Sequence, residues 1–132
     1  MHLAILIAIA LTSSVGDAQP PHCSNAENVR AEEGSDRLRS WDSLYRWYKL
    51  YGRCNNVSAA EGVSESIARV LVDHWTTLPR LARLASIDAG FRRFVMDGVN
   101  ATLDMSDIEQ IKAKTTTCPK SLVRLCGDLR NL

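Results

Sequence analysis

Nowhere does the chain carry a block of five like charges, and Arg92-Arg93 is its longest basic run. Basic and acidic residues are interleaved and the formal net charge is +1. Such a balance gives no footprint of nucleic-acid or membrane-surface binding. None of the four cysteines, Cys23, Cys54, Cys118 and Cys126, lies in a Cys-x-x-Cys pair, which excludes a thioredoxin-like redox motif. Their spacings of 30, 63 and 7 intervening residues likewise match no zinc site. Gly62-Val-Ser64-Glu-Ser66 lacks the second glycine of a Gly-x-Ser-x-Gly elbow. Asp104-Met-Ser-Asp107-Ile-Glu109 lacks the glycine and spacing of a calcium loop. There is no strand alternation, no Asn-Gly hairpin signal and no internal repeat. No catalytic residue, metal or cofactor is expected from these patterns.

The most informative stretch is the first eighteen residues. Residues 3–11 are an unbroken apolar run, too short to span a membrane, which needs about 20 residues. Small residues follow, and Gly16-Asp17-Ala18 fits signal cleavage after Ala18. Residues 1–18 are therefore expected to be a secretory signal, and the mature chain to be 19–132. Without Asp17 its charge is 16 − 14 = +2. No second apolar run approaches spanning length, so no membrane anchoring is expected after cleavage. Export to a periplasm or the extracellular space would place the four cysteines where two disulfides form.

Pro20-Pro21 and a scarcity of apolar side chains make residues 19–34 read as an extended N-terminal arm. The helical domain then runs over 35–132. From 35 to 51, Leu38, Trp41, Leu44, Tyr45, Tyr48 and Tyr51 recur at helical spacing, with Gly52 as a stop. Arg39, Asp42, Arg46 and Lys49 lie opposite. Ser58-Ala-Ala-Glu61 reads as a capping box opening a second helix, and Ser106-Asp-Ile-Glu109 as another further on. Thr77-Leu78-Pro79 starts a third helix, since proline is tolerated in a first turn. The fold expected is all-α: a compact bundle of five or six short helices stapled by two disulfides. If Pro119 opens a helix, Cys118 and Cys126 stand about 12 Å apart at 1.5 Å per residue. A bridge tolerates roughly 7 Å between Cα atoms. The expected pairing is therefore Cys54–Cys118 and Cys23–Cys126.

His74 follows Asp73 on the apolar side of the second helix, but adjacent helical residues do not face each other. It reads as a half-buried packing residue. The aromatic helix is the better candidate site, because Tyr, Trp and Arg dominate interface energetics. Most of its aromatic arc must face the core. Trp47, at the edge of that arc, Leu50, within the basic face, and the neighbouring Tyr51 are the residues expected to meet a protein partner. Arg92 and Arg93, outward of Phe91 and Phe94, form a second candidate patch. Asn56-Val-Ser58 and Asn100-Ala-Thr102 match the glycosylation sequon.

The leader 1–18, the Tyr-rich stretch from Trp41 to Tyr51 with Cys54, and the Cys118–Cys126 tail together resemble the immunity proteins that neutralise type VI secretion amidase toxins. The resemblance implies a small exported binding or inhibitory protein, not an enzyme, that plugs the cleft of a cell-wall hydrolase. A helical carrier of hydrophobic ligands is the alternative. The Cys-x7-Cys tail is similar to the Cys-x8-Cys of insect odorant-binding proteins, though the Cys-x3-Cys of that family is missing. A minor hydrolase using His74 ranks third. Partner identity and oligomeric state are not encoded in any of these patterns.

Overall fold

The computed structural model describes residues 22–54, 56–102 and 104–132. Residues 1–18, where a secretory signal is expected, and Gln19, Pro20, Pro21, Asn55 and Leu103 lie outside the described residues. The described chain is all-α: seven helices and three short 3-10 turns, with no strand among the described residues. The helices are α1 (Asn25–Ser35), α2 (Trp41–Tyr51), α3 (Val57–Asp73), α4 (Leu78–Ile87), α5 (Ala89–Asn100), α6 (Met105–Lys114) and α7 (Val123–Arg130). α3 runs through the middle and packs against α1, α2, α5 and α6. Trp41, Leu44, Ile67, Leu71, Leu81, Phe91, Val95, Val99, Ile111 and Leu129 fill the core between them.

The extended arm expected over residues 19–34 is corrected from residue 25 onward, where the chain is α1. The Ser24 hydroxyl accepts the Glu27 N–H, and the Glu27 carboxylate accepts the Ser24 N–H. This reciprocal cap satisfies two of the donors that a helix start leaves free. α1 has almost no apolar stripe to reveal it in the sequence, and tertiary contacts hold it. Ala31 is fully buried, the Trp47 indole N–H donates to the Ala31 carbonyl at 3.2 Å, and the Ser66 hydroxyl donates to the Ser35 carbonyl at 2.6 Å. At the contact with α3, a Cβ added to Gly62 would stand 2.0 Å from the Ser35 hydroxyl oxygen. Only glycine lets the two helices approach this closely.

Helix starts also shift. The helix expected from residue 35 begins at Trp41, capped by Ser40. Asn56, not Ser58, caps α3, accepting the Ala59 N–H. Asp104, not Ser106, caps α6, accepting the N–H groups of Ser106 and Asp107. α4 opens with Pro79 in its first turn, as the spacing predicts.

Two disulfides form, but the expected pairing is overturned: the bridges are Cys23–Cys54 and Cys118–Cys126. The 12 Å estimate assumed a helix opening at Pro119. Cys118 and Pro119 are extended instead, with ψ of 134° and 142°. A 3-10 turn at Lys120–Leu122 then folds the chain back before α7 begins at Val123. The two Cα atoms stand 6.3 Å apart, within bridging range. Two bridges fit an oxidising compartment. Among the described residues, no helix is long and apolar enough to cross a membrane.

Candidate functional site: the outward face of α2

α2 divides its circumference between core and solvent. Trp41, Leu44 and Trp47 are buried. Tyr45 and Tyr48 are half-buried and bind α2 to α5 through aromatic contacts: Tyr45 to Phe91 and Tyr48 to Phe94, each with ring centroids 5.0 Å apart. Edge-to-face and tilted pairs of this kind add to the area they bury. The approach is close enough that a Cβ on Gly90 would fall 2.4 Å from the Tyr48 hydroxyl oxygen.

The opposite side carries Arg46, Lys49, Leu50 and Arg53 at positions i, i+3, i+4 and i+7, all exposed. That spacing lays them along one line of the helix and the turn that follows it. Leu50 is 58% exposed, a single apolar knob among three cations. Two carboxylates steady the line and offset two of its three positive charges. Lys49 lies 3.7 Å from Asp88 and 5.9 Å from the Tyr45 ring centroid, a cation–π distance. Arg53 pairs with Glu27 and donates to the Leu50 carbonyl at 2.7 Å. Glu27 and Asp88 both titrate below the usual carboxylate range. The backbone N–H at Ser24 is the main cause for Glu27, and the backbone N–H at Phe91 for Asp88. Among the described residues Arg46 makes no hydrogen bond or ion pair, and its charge helps to lower the pKa of Asp42 one turn earlier.

The structure sorts the sequence-predicted residues. Leu50 is on the surface as expected. Trp47 is not: it is buried, because the unforeseen α1 covers that edge of α2 and takes its indole N–H. Tyr51 is half-buried, packed on Trp47 with centroids 5.8 Å apart. Arg92 is half-buried and pairs with Asp128 of α7, lining a hollow between α4 and α7. Arg93 is exposed, and neither arginine joins the α2 line. Arg53, which sequence reasoning missed, belongs to that line. The signal was its seven-residue step from Arg46, hidden because Gly52 reads as the end of the helix.

His74 is corrected too. It is the C-terminal cap of α3, exposed, and not a half-buried packing residue on the helix's apolar side. It borders a hollow of about 220 Å³ shared with Asp42, Arg80, Thr77 and Ser40. Asp42 is held there by Arg80 (Nε at 3.1 Å, Nη2 at 2.5 Å), which pulls its carboxyl below the usual range. The Thr77 hydroxyl is committed to the His74 carbonyl at 2.6 Å, and the Ser40 hydroxyl to the cap of α2. Among the described residues, the imidazole has no hydrogen-bond partner to orient it.

Beside the Cys23–Cys54 bridge lies an apolar groove of about 330 Å³, open to solvent on one side. Trp47, Cys54, Ala60, Val63, Phe94 and Ala101 line it, with Asn56 and Asp97 among its polar neighbours. Of the two sequons, Asn56 uses its side-chain oxygen to cap α3 and its amide to reach Glu32. Asn100 is exposed at the end of α5. Among the described residues, no three His, Cys, Asp or Glu side chains gather as metal ligands would. Comparison with protein-family models, curated proteins and solved structures finds no match.

Proposed function

We propose that this chain is an exported protein-binding module that presents the Arg46–Lys49–Leu50–Arg53 line of α2 to an acidic surface on a partner protein. The observation that carries the reading is that line itself: one exposed leucine flanked by three cations at helical spacing. Helix-in-groove recognition uses anchors at i, i+3, i+4 and i+7. Charges of one sign around an apolar anchor steer a partner of opposite charge and fix its orientation. The aromatic layer between α2 and α5 supports the reading, because it holds the backbone of that helix rigid before contact and lowers the cost of ordering it. The finer reading is an immunity-type inhibitor acting in a periplasm or outside the cell, with α2 plugging the cleft of a cell-wall hydrolase. A carrier has weaker support: the groove is at the small end of the range for ligand sites, about 300–1,000 Å³, and is open along one side. A hydrolase has the weakest, since Asp42 is held by Arg80 and cannot orient His74.

The test is a pull-down from extract of the source with the oxidised mature chain as bait, read by mass spectrometry. The expected result is one stoichiometric protein partner, released by raised salt. Arg46→Glu with Leu50→Ala abolishes its capture while the helical circular dichroism stays unchanged. No partner, or a partner that the double variant still captures, overturns the reading.

A further inference from the structure

The hollow at the start of α2 holds more positive charge than its one carboxylate offsets. We propose that it binds a compact oxyanion of two negative charges, a phosphate or phosphate monoester, seated between Arg39, Arg80, His74 and the first turn of α2.

Asp42 is the acidic wall of the hollow, and Arg39 and Arg80 are its basic walls. The positive charges of Arg46 and Arg83 also reach the Asp42 carboxyl and help to hold its pKa down. Four guanidiniums therefore act near one carboxylate, an excess of 4 − 1 = +3. The neighbouring acids in sequence, Asp36 and Asp73, pair with Arg37 and Arg69 and leave that excess in place. Arg80 gives Nε and Nη2 to Asp42, and its Nη1 makes no hydrogen bond among the described residues. Arg39 is exposed and gives one N–H to the Asp36 carbonyl at 2.8 Å, with the rest of its fork uncommitted among the described residues. Guanidinium forks match the oxygens of phosphate. A bound carboxylate would offset one charge of the excess, a phosphate dianion two.

Unpaired donors gather at the same place. Trp41 is a wall of the hollow and only 2% exposed, yet its indole N–H has no acceptor among the described residues. Buried donors without an acceptor are rare in folded proteins, and a bound ion is one of the things that satisfies them. α2 adds its first turn. The Ser40 hydroxyl accepts the Ser43 N–H and the Ser40 carbonyl the Leu44 N–H, which leaves the backbone N–H groups of Trp41 and Asp42 without an intrahelical partner. The start of this eleven-residue helix carries partial positive charge, the setting in which phosphates bind. His74, exposed at the rim, contributes an imidazole N–H. The volume of about 220 Å³ lies below the roughly 300–1,000 Å³ that takes drug-sized ligands, so the ligand is compact. Arg46 is shared with the α2 binding line, but no wall of the hollow belongs to that line, so anion binding stands apart from partner capture.

The experiment follows the indole N–H resonances of Trp41, Trp47 and Trp75 in the oxidised, isotope-labelled chain. Glycerol phosphate is added at about pH 7.5, above the monoester second pKa of about 6. Inorganic phosphate, acetate and, at matched ionic strength, sodium chloride are the other arms. The expected result is a saturable shift of the Trp41 resonance with either phosphate, while Trp47, whose N–H is held by the Ala31 carbonyl, stays in place. Arg39→Gln and His74→Gln, both of exposed side chains, should each weaken the affinity several-fold with unchanged circular dichroism. Equal or tighter binding of inorganic phosphate assigns the free ion as the ligand, and tighter binding of the ester assigns a monoester. A Trp41 resonance that stays still, or drifts without saturating in the way chloride moves it, overturns the proposal. So does acetate that binds as tightly as phosphate, or saturation that either substitution leaves unchanged.

Discussion

Removing the disulfides one at a time separates their contributions by loop length. Cys23–Cys54 joins residues 31 apart, and Cys118–Cys126 residues 8 apart. In the chain-entropy treatment, a bridge lowers denatured-state entropy by about 2.1 + 1.5R ln n cal/mol/K. At 25 °C this gives about 3.7 kcal/mol for the first and about 2.5 kcal/mol for the second. Each pair contains one buried sulfur, Cys54 at 6% exposure and Cys126 at 1%, so the packing lost on truncation is similar and the difference of about 1.2 kcal/mol persists. The assay is urea unfolding, followed by circular dichroism, of the oxidised protein, Cys23→Ala/Cys54→Ala and Cys118→Ala/Cys126→Ala. The first double variant is expected to be the less stable. Equal losses, or a larger loss from the second, refute the reasoning. Tryptic digestion without reductant checks the connectivity directly: peptide 115–120 should emerge linked to 125–130, and the Cys23 peptide to 54–69.

Trp47→Phe removes the N–H that meets Ala31, at a cost of about 1–2 kcal/mol. Hydrogen exchange should then quicken in α1 and not in α5; uniform quickening would mean that the bond does not dock α1. Asp107, buried in α6, pairs with Arg69 of α3 and holds the guanidinium pKa above its ordinary value. Asp107→Asn should cost about 1–3 kcal/mol in urea unfolding, discounted for Arg69 being 30% exposed. Glu65→Gln, at the exposed end of the same cluster, should cost less than about 0.5 kcal/mol. Asp88 has a folded pKa below its unfolded one, so its contribution is complete above about pH 4. It disappears as the pH falls through the folded value. Asp88→Asn should therefore lower Tm more at pH 7 than in acid, the difference shrinking as the pH falls below about 4; a constant Tm difference would contradict the assignment.

How much of this was legible beforehand follows from where each signal lies. α2 was readable because its aromatic stripe repeats every three to four residues and the core uses that periodicity directly. Leu50 stood out because it interrupts a basic face. α1 went unread: its one local signal, the Ser24-x-x-Glu27 capping box, precedes no apolar run, and the bridge, indole hydrogen bond and glycine contact that also hold it are made with residues distant in sequence. Once α1 is present, Trp47 must be buried, so one local omission produced the wrong exposure elsewhere. The disulfide pairing failed similarly. Pro119 tolerates both a helix start and an extended entry, and the fold-back at Lys120–Leu122 decided between them.

Asp88 ends α4 and begins α5 with no residue to spare. Its N–H closes the last turn of α4 on the Leu84 carbonyl, and its side chain accepts the Phe91 N–H at 3.0 Å and the Tyr45 hydroxyl at 3.3 Å. The corner between the two helices is thus a joint with a fixed angle. One added residue there would pull the carboxylate off the start of α5 or turn that helix by about 100°, carrying Phe91 from the core to water. The 36–40 connection, by contrast, puts five residues between its two helices and pins only Leu38 to α3, through the Ser66 hydroxyl. At position 88 the chain is counted residue by residue.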